Sequence, residues 1–326
     1  MIEAKGLRKS FRTGRRRKTA VVDAVAGVDL NVAEGEIFGF LGPNGAGKTT
    51  TLRMFATLLP PDDGEARIAG ADLRKESALV RRSIGYVAQG GSTWDDVTAR
   101  EELVMQARMH GIGKAEARDR AAATLDALDL TEYGDRNCKT YSGGQRRRVD
   151  IALGVVHSPK VLFLDEPTTG LDPQSRAHMW DLVRRLRDSG VTVFLTTHYL
   201  DEADALCDRI SIIDAGLIVA EGTPSDLKRE ISGDVVIVDL AAADSAGAPE
   251  PATMLKAAKL LTDERCVHSC EAIDHTLRLY VDSAATAIPQ VMRTLGSQGI
   301  EPGAIEYRRP SLDDVFLAKT GRTLAD

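Results

Sequence analysis

The apolar positions of the chain fall into short runs of two periodicities. Ile37-Phe38-Gly39-Phe40-Leu41, residues 161–164 and residues 191–195 are continuous apolar runs, the pattern of parallel strands buried on both faces. Val28-Asp29-Leu30-Asn31-Val32 alternates and predicts a half-buried strand, with another over residues 1–11 ending at Phe11. Residues 65–68, 84–87, 210–213 and 217–219 predict further strands, the last two joined by a turn at Ala215-Gly216. Helical spacing takes over between these runs. It covers 50–58, and it covers 98–133, where Leu103, Val104 and Ala107, then Ala121, Leu125 and Leu128, recur on one face. After Asp172-Pro173, a capping residue with proline behind it, Met179, Leu182, Val183 and Leu186 line a helix closed by Gly190. Strands alternating with helices predict an α/β core, and the polar helical stretch at about 98–157 predicts a helical subdomain inserted into it.

The pattern changes after about residue 230. Residues 235–240 read as a strand and 241–251, rich in alanine, glycine and proline, as a loop. A helix over 254–261, strands over 267–273 and 277–281, a helix over 284–295, a strand over 304–307 and a last helix from Ser311 follow. Ser311 with Asp314 three residues on is a capping-box start. The order β-α-β-β-α-β plus a helix predicts a small ferredoxin-like α+β domain. The expected division is 1–230 for the core and 231–326 for this accessory, dimerising domain.

The whole chain has 326 residues and a net charge of -6, which does not favour nucleic acid as a partner. No apolar run approaches the length of a membrane span and no secretory leader is evident, so a cytoplasmic chain is expected. The 4 cysteines are few for this length, as suits reduced thiols. Cys266-Val267-His268-Ser269-Cys270 matches no standard zinc spacing. The basic run over 12–18 predicts a solvated hairpin tip, with contact to anionic lipid as the sharper alternative.

The chemistry begins at Gly42-Pro43-Asn44-Gly45-Ala46-Gly47-Lys48-Thr49-Thr50. This is the phosphate-binding pattern G-x-x-x-x-G-K-[ST], set between a strand and a helix as that pattern requires. The glycines let the backbone turn its N–H groups onto an anion, and the helix N-terminus adds partial positive charge. Lys48 is placed to reach the β- and γ-phosphates of a nucleotide, and the Thr49 hydroxyl to ligate magnesium. Asp165-Glu166 ends the buried run 161–164. Asp165 there suits magnesium and Glu166 suits a base that polarises the attacking water. Ser142, capping a helix over Gly143 and Gly144 with Gln145 behind, makes a second anion-ready helix end.

In this order, the phosphate loop, Gln89, Ser142-Gly143-Gly144-Gln145, Asp165-Glu166, Gly170-Leu171-Asp172 and His198 resemble the nucleotide-binding subunit of an ABC transporter over residues 1–230. The resemblance implies ATP and magnesium as cofactors. It implies that His198 contacts the γ-phosphate and the attacking water and that Gln89 joins magnesium to the transporter interface. It also implies that Phe11 stacks on adenine, and that the Ser142 signature and Asp172 act across a dimer of two copies, covering the partner's ATP. Tyr141 stands where leucine is commoner. Arg309-Pro310-Ser311-Leu312-Asp313-Asp314-Val315-Phe316-Leu317 and Tyr141-Ser142-Gly143-Gly144-Gln145-Arg146-Arg147-Arg148-Val149-Asp150 are similar to daunorubicin-resistance-type drug-exporter ATPases. That family implies an ATPase that pairs with a separate integral membrane permease on the cytoplasmic face and powers efflux of a hydrophobic drug, antibiotic or lipid-like compound. The alternatives are a soluble ABC ATPase acting on ribosomes or DNA, or an importer subunit. The single phosphate loop, the absence of heptads and the tail argue against these.

Overall fold

The computed structural model describes residues 1–13, 20–231, 233–240, 251–273 and 276–321. Two compact units divide the chain, the first running from Met1 to Pro224 and the second beginning at Ser225. Most of the basic run at 12–18 and the loop expected at 241–251 lie outside the described residues.

The first unit opens with a long antiparallel pair, β1 (Ile2–Thr13) and β2 (Ala20–Val32). Then come β3 (Ile37–Leu41), α1 (Lys48–Phe55), β4 (Asp63–Ile68), β5 (Ala71–Asp72), α2 (Ser77–Ser83) and β6 (Ile84–Val87). The helical subdomain holds α3 (Ala99–Met109), α4 (Lys114–Ala127) and α5 (Gly143–Val155). The core resumes with β7 (Val161–Asp165), α6 (Pro173–Asp188), β8 (Thr192–Thr197), α7 (Leu200–Leu206), β9 (Arg209–Asp214) and β10 (Leu217–Gly222).

One sheet runs β2-β1-β4-β5 and is antiparallel. The other runs β10-β9-β3-β8-β7-β6, parallel except at β10. The central strands β3, β7 and β8 are buried throughout, as their continuous apolar runs require. Alternation puts Phe38 and Phe40 on one face of β3, where both rings lie 5.6 Å from Phe194. Phe55 of α1 meets the Phe194 and Phe163 rings at 5.7 and 6.2 Å. These fully buried rings, each worth about 1.5–3 kcal/mol of burial, pin α1 and the loop before it onto the sheet.

Several boundaries differ from expectation. The first strand continues past Phe11 because its cross-strand partners do, with Phe11 opposite Val22 and Thr13 opposite Ala20. The first helix starts at Lys48, inside the phosphate loop, and stops short of Thr57, which has φ of 60°. The stretch 98–133 divides into α3 and α4 at Gly111, whose φ of 85° breaks the helix. The short helix α2 was not evident from periodicity.

The second unit begins with α8 (Pro224–Glu230), which the expected boundary placed in the core. It continues through β11 (Asp234–Leu240), α9 (Pro251–Thr262), β12 (Val267–Ile273), β13 (Thr276–Val281), α10 (Ala284–Ser297), β14 (Pro302–Arg308) and α11 (Leu312–Thr320). Its sheet order, β12-β13-β11-β14, is antiparallel throughout and is the ferredoxin-like arrangement. Val236, Val238, Leu277 and Leu279 face Ala257, Leu261, Ala287 and Val291 of α9 and α10. On the alternate face Arg278 and Tyr280 meet the fully buried Asp314 of α11, which Arg308 also pairs with and which closes the Ser311 capping box. His268 Nε2 lies 2.7 Å from Asp282 Oδ1, and no group of three or more metal-ligating side chains occurs among the described residues.

Candidate active site

The parallel strands β3, β7 and β8 end side by side, and their C-terminal ends supply the site. The phosphate loop leaves β3 and turns directly into α1. Gly47 sits at the N-cap with φ of 108°, and a side chain there would meet the Ala24 carbonyl at 2.3 Å. Glycine is therefore required both by conformation and by the close approach of β2. The Gly216 N–H donates to the Ala46 carbonyl, and the Ala26 N–H to the Gly216 carbonyl, which ties the loop to β2 and to the β9–β10 turn. No side chain caps α1, so its first N–H groups point into a cleft of about 170 Å³. Ala24, Pro43, Asn44, Gly45, Gly47, Lys48, Thr49, Thr50, Gln89 and Glu166 line that cleft.

Lys48 is only 4% exposed and donates to the Gly42 and Pro43 carbonyls at 2.6 and 3.1 Å. Burial holds its ammonium pKa below the ordinary lysine value, an effect that Glu166, 3.5 Å away, partly offsets. Two carboxylates stand at the cleft, Glu166 in its lining and Asp165 behind Thr49. Asp165 Oδ1 accepts from Thr49 Oγ1 at 3.0 Å and Thr196 Oγ1 at 2.7 Å. Glu166 Oε2 accepts from Gln89 Nε2 at 2.8 Å and Thr169 Oγ1 at 3.2 Å. His198 Nδ1 lies 3.2 Å from the same oxygen, without hydrogen-bond alignment.

Adjacent residues of a strand point to opposite faces, yet Asp165 and Glu166 serve one cleft. Glu166 resolves this with φ of 45°, left-handed backbone that a glutamate rarely adopts. The cleft suits a nucleoside triphosphate, since an uncapped helix end and a lysine satisfied by nothing but loop carbonyls and Glu166 both call for an anion. The Thr49 hydroxyl and the Asp165 carboxylate are hard oxygen donors at one point of it, the set magnesium takes.

The remaining sequence-predicted residues lie elsewhere. Ser142, Gly144 and Gln145 line a separate cleft of about 150 Å³ with Gln174, Ser175 and His178, and Gly143 is exposed beside it. Ser142 Oγ accepts from the Gln145 N–H, and Gln145 Oε1 from the Ser142 N–H. Asp172 caps α6 through the Ser175 N–H and hydroxyl. Phe11 is 39% exposed on the β1–β2 ribbon, beyond Ala24 and outside the lining of the phosphate cleft. The Tyr141 hydroxyl donates to the Tyr133 carbonyl, a use that leucine could not make.

Three participants were not legible in the sequence. Thr196 bridges Asp165 and the Glu166 N–H. Asp150 accepts from the Ser92 and Thr93 N–H groups and hydroxyls, holding the segment after Gln89 against α5. Arg147 is buried behind the carboxylates. Helical phase relates Arg147 and Asp150 to Gly143, but nothing local separates Arg147 from its solvated neighbours Arg146 and Arg148.

The strand ends, the phosphate loop and the capped signature helix together define an ABC ATPase cassette. The ABC transporter family model matches residues 25–169, and that of the DrrA1-3-like ATP-binding protein C-terminal domain matches residues 222–320. The daunorubicin/doxorubicin resistance ATP-binding protein DrrA of Streptomyces peucetius is 45% identical, covering 100% of this chain and 94% of its own. The Nod factor export ATP-binding protein I of Paraburkholderia xenovorans is 37% identical over 93% of each. The dimeric structure of MJ0796, a bacterial ABC transporter cassette, superposes with a TM-score of 0.62 at 28% identity, covering 68% of this chain and 98% of that one. The chain belongs to the DrrA-like family of ABC transporter ATP-binding proteins, and is an ATP-binding, ATP-hydrolysing subunit of an exporter.

Proposed function

We propose that this chain hydrolyses magnesium-ATP at the cleft above α1 as one of two copies, and so drives export of a hydrophobic drug, antibiotic or lipid-like compound through a separate membrane permease. The convergence of Lys48, Gln89, Thr169 and His198 on the Glu166 carboxylate carries this reading. The phosphate loop, Gly42 to Thr50, wraps the phosphates, with Lys48 transferring its bonds from loop carbonyls to phosphate oxygens. Thr49 and Asp165, with Gln89, would hold magnesium, whose charge would offset that of the phosphates. Glu166 takes the proton of the attacking water as general base. Gln89 and Thr169 fix its carboxylate, and His198 faces water and γ-phosphate. Phe11 supports the adenine. Ser142, Gly143, Gly144 and Gln145 of one copy, with Asp172, cover the ATP of the other.

The named relatives support a drug-class substrate and an export direction. No helix among the described residues is long and apolar enough to cross a membrane. Exposed Trp94, Met105 and Met109, on α3 and just before it, supply an apolar surface of the kind a permease would cover on the cytoplasmic face. The test is Glu166→Gln in the full chain. ATP turnover should fall by on the order of 10²–10⁴ while nucleotide stays bound. Turnover near the wild-type rate would remove Glu166 as the base.

A further inference from the structure

We infer that Arg147 is a positioning residue for hydrolysis, holding Glu166 in the backbone conformation that aims its carboxylate at the nucleotide. The guanidinium is 7% exposed and spends its donors on four main-chain carbonyls. Nε donates to Pro167 O at 2.9 Å and Nη2 to Asp165 O at 3.0 Å, with Glu166 O at 3.4 Å. Nη1 donates to Ala88 O at 2.6 Å. Asp150 Oδ2, 3.9 Å from Nη1, is its acidic neighbour on the same helix.

These carbonyls are not scattered. Three belong to the consecutive residues Asp165, Glu166 and Pro167, and the fourth immediately precedes Gln89, whose side chain bonds Glu166. A left-handed non-glycine residue is strained and persists only where its surroundings over-determine it. Two surroundings do so here. Thr196 takes the Glu166 N–H through its carbonyl and its hydroxyl, both at 3.1 Å. Arg147 takes the carbonyl side. Without the arginine, the peptides flanking Glu166 lose their donors, and the relaxed, strand-like backbone turns the carboxylate away from Asp165's side. The planar fork suits this work because one rigid group spans carbonyls from two strand ends, which a lysine ammonium cannot do.

The inference rests on Glu166 being the base, so the two are tested together. Arg147→Lys and Arg147→Gln are made in the full-length chain beside Glu166→Gln. Each is assayed for kcat and KM with magnesium-ATP, for ATP binding and for melting temperature. Misplacement of the carboxylate by about 1 Å should lower kcat by on the order of 10²-fold. KM and ATP binding should stay within about threefold, since Arg147 itself does not line the phosphate cleft. Wild-type kcat in either arginine variant would overturn the inference. So would kcat and ATP binding falling in parallel, or both variants unfolding, because Arg147 would then merely hold the fold. If Glu166→Gln itself keeps its turnover, the base assignment falls first, a result distinct from any of these.

Discussion

The glycine-bearing N-termini of α1 and α5 in the first unit are built oppositely. At α1 the cap is Gly47 in left-handed backbone, no side chain takes the first N–H groups, and a buried lysine and two buried carboxylates surround the opening. At α5 the cap is Ser142, whose reciprocal bonds with Gln145 take the Ser142 and Gln145 N–H groups but not those of Gly143 and Gly144, and Ser142 and Gly143 lie exposed. Both ends carry the helix dipole, so the dipole alone cannot make an active site. The α1 end favours an anion, because a desolvated ammonium and uncapped N–H groups gather there. The α5 end is stable as it stands and offers its hydroxyl and glycines outward. We assign the first to the nucleotide of its own chain and the second to the nucleotide of a second copy.

The sharpest way to break that contrast is at Lys48. Lys48→Ala should cost nucleotide affinity about 1.5–3 kcal/mol or more, roughly 10- to 150-fold in Kd, with turnover lost. Equilibrium binding of magnesium-ATP measures it, and undiminished binding would remove the phosphate loop from the site. Ser142→Ala probes the other end. It should leave ATP binding to the single chain unchanged while lowering turnover by roughly 10-fold, with a stability loss of about 1 kcal/mol for the missing cap. If it weakens ATP binding to a single chain as Lys48→Ala does, the two ends are not separate devices. The smallest effect is expected at Phe11, which is half exposed and outside the phosphate cleft. Phe11→Ala should raise the KM for ATP by about fivefold, about 1 kcal/mol of stacking, without changing kcat. No change in KM would place the adenine on another surface, with Val22 opposite Phe11 as the neighbour to test next.

Legibility in the sequence followed the range of the contacts involved. The strand over 37–41, the loop to Thr50 and the uncapped helix after it are one contiguous segment. Their chemistry is spelled in neighbouring residues. Capping boxes at Thr98, Ser142 and Ser311 are likewise local, and each of these helices starts where its pattern says. Element ends were less legible. The first strand continues past Phe11 because β2 runs alongside it, and α2 is too short for periodicity to register.

By itself, the sequence determined the order of the longer elements, the identity of the phosphate-binding segment, the paired carboxylates after a buried strand and the α+β tail. Each of these is written in runs of adjacent residues whose spacing matches a helix or a strand. Only the tertiary structure decided which distant groups share the cleft. Thr49 meets Asp165, and Gln89 meets Glu166, across 116 and 77 residues of chain, because the sheet order sets β3, β8, β7 and β6 side by side. Tertiary packing likewise makes Arg147, one arginine in a run of three, the donor for the carbonyls of Asp165, Glu166 and Pro167. Side-chain type and local spacing carry no record of strand order, so a buried guanidinium and a solvated one look alike until the strands are paired.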